Sequence, residues 1–216
     1  MKINLKAIIR KWYWLINILP FNNMIRARKT KIINEGATLI KCKIKSRGNN
    51  TIIFHNGAII RNMVIHIYGN NNIVEIGANV SINHGNIHIE DDGNRVVIGE
   101  GTNICGKTHL ACIEGKSILI GKNCLFSSEI VFRTGDSHSI LDLSGKRINL
   151  SEDIVIHDHV WIGYRVSIGK GVVIPKNTVI ATGAIVTKPF EEENVILAGV
   201  PAKVVKNNVD WDAERV

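Results

Sequence analysis

Aliphatic residues recur every six positions through the C-terminal half of the chain, at Ile156, Ile162, Ile168, Ile174, Ile180 and Val186. Four residues after each of the first five stand Val160, Val166, Val172, Thr178 and Ala184, all small or β-branched. A helix would repeat about every 3.6 residues and a plain strand every two, so a period of six fits neither. It fits a chain that turns a corner every six residues and sends one aliphatic side chain inward from each flat face. Three faces make an 18-residue triangular coil, which stacks Ile156 against Ile174.

Upstream the repeat lengthens. Phe54, Ile76, Ile98 and Ile120 stand 22 residues apart. The four extra residues are read as an extension at one corner, visible as Gly48-Asn49-Asn50, Gly69-Asn70-Asn71-Asn72 and Asp91-Asp92-Gly93-Asn94. Gly and Asn tolerate the positive φ that such corners need. From Ile120 the next equivalent is Ile156, an interval of 36. One coil accounts for half of that, so the rest must leave the prism as a loop over residues 133–153. Solenoids tolerate such insertions because each coil touches only its neighbours. Stacked strands about 4.8 Å apart, in about six coils, give a prism on the order of 30 Å long. Spacing does not set the hand of the coil, since parallel crossovers are nearly always right-handed.

The chain divides into residues 1–31, a basic segment with an amphipathic helix; 32–190, the parallel β-helix; and 191–216, a connector. The first segment holds eight of the 27 basic residues and no acid, and the other 19 basic residues balance the 19 acidic ones. Attraction to an anionic partner is therefore expected to start at the N-terminus. Leu5, Ile8, Ile9, Trp12, Leu15, Ile16 and Leu19 trace one helical face, and Pro20 ends it. This helix is too short and too interrupted to span a bilayer. It either caps the open end of the core or lies on a membrane surface through residues 1–22. A cytoplasmic enzyme, placed there or at the inner face of the membrane, is the expectation, with no nucleic-acid partner. Cys42, Cys105, Cys112 and Cys124 form no metal-binding pair, so free thiols in a reducing compartment and no bound metal are expected. His66 and His88, 22 apart between isoleucines, should point outward as a stacked surface pair.

His157-Asp158-His159-Val160-Trp161-Ile162-Gly163, Ile168-Gly169-Lys170-Gly171-Val172 and Ala198-Gly199-Val200-Pro201-Ala202-Lys203 resemble the signature of the hexapeptide-repeat acetyltransferases. Arg133-Thr134-Gly135-Asp136-Ser137-His138, with Gly145-Lys146-Arg147-Ile148-Asn149, resembles the bacterial capsular polysaccharide and polysialic acid O-acetyltransferases within that family. The resemblance implies an all-β fold, a left-handed parallel β-helix of hexapeptide repeats. It implies acetyl-CoA as co-substrate, a carbohydrate hydroxyl as acceptor, and a homotrimer with sites at the subunit junctions.

His138 takes the family's general-base position, and an alcohol needs such a base because it attacks only as its proton leaves. Trp161 matches the family tryptophan beside thioester and acceptor. The oxyanion donor is either a backbone N–H or the Trp161 indole. By the same resemblance, CoA contacts fall on Ser139, Ile140, Tyr164, Arg165, Lys170, Thr182, Thr187, Lys188 and Lys203. Tyr164-Arg165 departs from the family pattern, which places an arginine at position 164. Competing readings are N-acetylation of an amino-sugar nucleotide or a xenobiotic, a γ-type carbonic anhydrase using His138, His157 and His159, and a non-catalytic β-helix.

Overall fold

In the computed structural model residues 22–214 are described, and every regular element among them is a β-strand. The chain coils as a parallel solenoid of about seven turns with three flat faces. The first face stacks residues 51–54, Ile73–Ile76, Arg95–Ile98, Ser117–Ile120, Ile154–Ile156 and Val173–Ile174. The second stacks Thr38–Ile40, Ile59–Arg61, Ser81–Ile82, Asn103–Ile104, Leu125–Phe126, Trp161–Ile162 and Val179–Ile180. The third stacks residues 43–47, Met63–Tyr68, Gly85–Ile89, Thr108–Cys112, Ile130–Arg133, Ser167–Ile168 and Ile185–Val186.

The predicted column is realised in register, with Phe54 beside Ile76, then Ile98, Ile120, Ile156 and Ile174. All six are at most 3% exposed, and the small residues from Val160 to Ala184 are fully buried. Alternation inside each strand makes this possible: His66 and His88 face outward while Ile65, Ile67, Ile87 and Ile89 fill the core. Their rings lie edge to face with centroids 6.3 Å apart. Cys42, Cys112 and Cys124 are free and buried, and burial pushes the last two thiols up to about 11. They pack as small apolar groups rather than as nucleophiles.

The corner extensions carry a polar ladder that the rule of inward aliphatics does not foresee. Asn50, Asn72 and Asn94 are buried, and each side-chain oxygen accepts the backbone N–H one coil on, from Asn72 at 3.0 Å, Asn94 at 2.8 Å and Lys116 at 3.1 Å. Buried amides are affordable only when paired in this way. At the same corner a side chain on Gly48 would run into the carbonyl oxygen of Gly69, and Gly48 has φ +105°.

Two boundaries differ from the sequence expectation. The solenoid begins at Met24, not at residue 32, because Met24–Asn34 pairs in parallel along the whole of Lys43–Phe54. Its residues alternate basic and apolar (Arg26, Arg28), which reads as charge density in a sequence and as one more coil in the fold. The expected helix over Leu5–Leu19 lies outside the described residues. At the other end, Val195–Gly199 adds a parallel strand to the second face, and Ala202–Asn207 folds back antiparallel on it. Val195, Leu197 and Ala202 are buried, so this hairpin closes the last coil.

Candidate active site

The inserted loop leaves the third face after Arg133 and re-enters the first face at Ile154, so it projects from one corner of the prism. Its root is tightly packed. Gly135 is buried, and a Cβ there would strike the Ser151 hydroxyl and the Ile113 side chain. Two side-chain clusters then fix the loop.

The first is centred on Asn149, which is 7% exposed. Its Nδ2 donates to the carbonyl oxygen of His138 at 2.8 Å and to Asp136 Oδ2 at 2.9 Å. Its Oδ1 accepts the backbone N–H of Ile140 at 2.7 Å. One amide thus holds the backbone on both sides of Ser139, and the imidazole of His138 is left exposed at the turn. Asp136 also pairs with Lys170 Nζ at 2.6 Å. The lysine and Asn149 together hold the Asp136 carboxyl below its ordinary range.

The second cluster clamps the returning arm. Arg147 reaches Glu114 with both guanidinium nitrogens, at 2.7 Å and 3.1 Å, and the Ser151 hydroxyl donates to the same carboxylate at 2.7 Å. Arg147 and Ser151 pull the Glu114 carboxyl down to about 2. A two-point guanidinium–carboxylate fork fixes direction as well as distance.

Below the loop the third face carries a groove of about 420 Å³ lined by Arg133, Asp136, Lys170 and Thr187, with Val131, Ile168 and Ile185 as its apolar floor. Of the expected set it brings together Lys170 and Thr187, while His138, Ser139 and Ile140 stand on the loop that follows Asp136. Lys170 is already paired there with Asp136, so its first role is to hold the loop.

The remaining residues lie elsewhere on the prism. Tyr164 and Arg165 form the corner between the second and third faces; Arg165 lies 5.1 Å from the Tyr164 ring centroid and has φ 56°. Thr182 is stacked over Gly163 at that corner. Trp161, 40% exposed, starts the second face, and Lys203 lies on the closing hairpin opposite Ala198.

Trp211 of the tail packs beside Trp161 at 6.1 Å and stacks on His159 at 4.3 Å, its indole nitrogen donating to the His159 carbonyl. His159 Nε2 meets Asp210 and the Trp211 carbonyl, so this imidazole is engaged by the tail. The structure records no contact between Trp161 and His138, which flank opposite edges of the first face.

No family model matches the chain. It is 33% identical over 184 residues to a polysialic acid O-acetyltransferase of Neisseria meningitidis, covering 76% of this chain and 86% of that one. It is 36% identical over 134 residues to a polysialic acid O-acetyltransferase of Escherichia coli O1:K1 / APEC, a match over 59% of this chain that spans only 43% of that relative's length. The crystal structure of the polysialic acid O-acetyltransferase OatWY superposes with a TM-score of 0.80 at 30% identity, over 90% of this chain and 92% of that one. The prism therefore belongs to the left-handed parallel β-helix class. The chain is a member of the hexapeptide-repeat acetyltransferase family.

Asn149, Glu114 and Ser151 are the site residues that sequence reasoning did not single out. Asn149 and Arg147 stand in the quoted Gly145–Asn149 motif, but nothing in their spacing announces partners at residues 136, 138 and 114.

Proposed function

We propose that the protein transfers the acetyl group of acetyl-CoA to a hydroxyl of a sugar in a bacterial surface polysaccharide or its precursor, with His138 as general base. The observation that carries this reading is the mounting of His138. An exposed imidazole sits on a loop whose backbone is pinned by a buried amide, two residues after Asp136, which lines a groove with an apolar floor.

Histidine Nε2 or Nδ1 removes the acceptor hydroxyl proton as the oxygen attacks the thioester carbonyl. The carbonyl oxygen becomes an oxyanion, which a backbone N–H or the Trp161 indole N–H neutralises. Collapse breaks the C–S bond, the CoA thiolate takes the proton from the imidazolium, and the acetyl ester leaves. Thr187, Lys188 and Lys203 contribute hydroxyl and ammonium groups for the phosphates and pantetheine arm of CoA, where point charges suffice.

His138 and Trp161 act together only if they come from different chains, so the active form is a homotrimer with each site between neighbours. The loop supports that assembly: Ile140, Leu141, Leu143, Ile148 and Leu150 are all more than half exposed, an apolar surface suited to a second copy of this chain.

The first test is His138→Ala. Loss of a general base should lower kcat by about 10²–10⁴-fold, with the circular dichroism spectrum unchanged because the loop is outside the core. Activity within a few-fold of wild type would overturn the assignment. Competition between polysaccharide, oligosaccharide and amino-sugar nucleotide acceptors separates O- from N-acetyl transfer.

A further inference from the structure

The third face continues below the candidate site, and its outward side chains form a column that the acetyl-transfer chemistry does not use. In register, one strand per coil, stand Arg26, Lys45, His66, His88, Ala111 and Arg133. A parallel column places Arg28 beside Arg47 and Tyr68. With strands about 4.8 Å apart, the five steps from Arg26 to Arg133 span about 24 Å. The strand segments of this face, residues 24–28 and 43–47 and those from Met63–Tyr68 to Ile185–Val186, contain no Asp or Glu at all. Among the described residues Arg26, Arg28, Lys43, Lys45, Arg47 and Arg133 make no ion pair. The carboxylates that come near belong to Glu90, on His88 at 2.8 Å, to Glu129, at 4.0 Å from Lys107, and to Asp136, which lines a groove with Arg133 and is paired with Lys170.

Where this column reaches the loop, a second groove of about 430 Å³ opens, lined by His84, Lys107, His109 and Arg133 over Val64 and Val131. Val131 and Arg133 also line the groove at the root of the loop, so the two adjoin. Inside it, Asn86 Oδ1 is the one buried side-chain polar atom, among the described residues, without a hydrogen-bond partner. A buried acceptor left unpaired is costly and calls for a donor from outside the chain. Burial first, and then the charges of His88 and Lys45, lowers the pKa of His66; burial first, and then Arg133, His88 and Lys107, lowers that of His109.

We propose that this face is an extended binding track for an acidic polysaccharide, which runs along the Arg26–Arg133 column towards the groove at the root of the loop that carries His138. The proposal rests on the acetyltransferase reading and adds the place and the chemistry of acceptor recognition. The permanent cations gather at the start of the column, at Arg26, Arg28, Lys43, Lys45 and Arg47, with Arg133 at its far end, and a polymer with one carboxylate per sugar can meet both. Asn86 Oδ1 is an acceptor for a hydroxyl or amide N–H, groups that a sugar carries. Exposed Tyr68, edge-on to His66 and His88 at 6.4 Å and 6.0 Å, gives an aromatic surface for a sugar ring.

The test is direct binding of fluorescently labelled polysialic acid to the full chain, with dextran of equal length as the neutral probe. The triple variant Arg26→Glu, Lys45→Glu, Arg47→Glu should bind polysialic acid at least about tenfold more weakly, with a flatter dependence on ionic strength. The same three reversals on or beside the first face, at Arg95, Lys116 and Lys122, should cost less than about threefold. Asn86→Leu should weaken polysialic acid about fivefold, the value of one hydrogen bond, and leave the binding of inorganic polyphosphate, which offers no hydroxyl or amide N–H, unchanged. Equal losses from the two triple variants would reduce the track to net charge and overturn it. So would a loss confined to anionic phosphatidylglycerol vesicles, which would make the face a membrane surface, or a change of assembly state on light scattering. Wild-type chain that binds the polymer but transfers no acetyl group would sink the enzymatic reading and leave the track standing.

Discussion

At the scale of single residues, the chemistry assigned to His138 depends on a side chain that never touches substrate. Asn149 joins the His138 carbonyl, Asp136 and the Ile140 N–H through three short hydrogen bonds, so it sets where the imidazole's backbone lies. A reacting group displaced by about 1 Å loses about 10²-fold in rate. Asn149→Ala is therefore expected to lower kcat by about 10–100-fold while the melting temperature moves little, because the loop adds nothing to the aliphatic core. Asn149→Asp should be no better: it loses the donor to His138 and sets a second carboxylate against Asp136. Faster hydrogen exchange at the Ile140 amide would accompany the alanine substitution, since aspartate keeps an oxygen for that N–H, and a substitution that altered exchange without altering kcat would show that the pin does not position the base.

At the scale of elements, the coils are tied across their corners as well as through their strands. His55, on the corner after Phe54, is held between carboxylates of the coils on either side, Glu35 at 2.7 Å and Glu75 at 3.1 Å, and Glu75 continues to Arg95 at 3.5 Å. The Glu35 and Glu75 hydrogen bonds raise the imidazole pKa above its ordinary 6.5. A raised base stabilises the fold fully below its unfolded pKa and stops doing so as pH rises through the folded value. The melting temperature should accordingly fall as pH is raised from about 6 to 9, and His55→Gln should flatten that slope. An unchanged slope in the variant would place the pH dependence elsewhere.

The same corners show what sequence could and could not reveal. The interval of 22 that located Phe54, Ile76, Ile98 and Ile120 also separates Asn50, Asn72 and Asn94, so the amide ladder was legible in spacing. It was passed over because inward positions were sought among aliphatics, whereas a buried asparagine is stable once each coil supplies the next with a partner. The loop is different. Its bonds join residues 13, 11 and 33 apart, from Asn149 to Asp136 and His138 and from Arg147 to Glu114, and no period links such distances. Its position could be read from the interval of 36, but its interior could not.

At the scale of the whole molecule, the prism separates the two groups that the proposed reaction needs together. His138 projects at the corner where the third face meets the first, and Trp161 begins the second face, with the width of the first face between them. The two surfaces differ, so contact between copies in the proposed assembly is heterologous, and a heterologous contact that closes on three chains gives a ring with three equivalent sites. The apolar loop tip, with Leu143 fully exposed, provides the contact that closes it. Light scattering should therefore report three chains per particle. A mixing experiment tests the division of labour more sharply. His138→Ala and Trp161→Ala homotrimers should each be inactive, yet co-refolded in equal amounts they should regain about a quarter of wild-type activity, since random assembly in a closed ring pairs an intact histidine with an intact neighbouring tryptophan at that frequency. No recovery from correctly assembled mixed trimers would mean that both groups act within one chain, and the junction site would have to be abandoned.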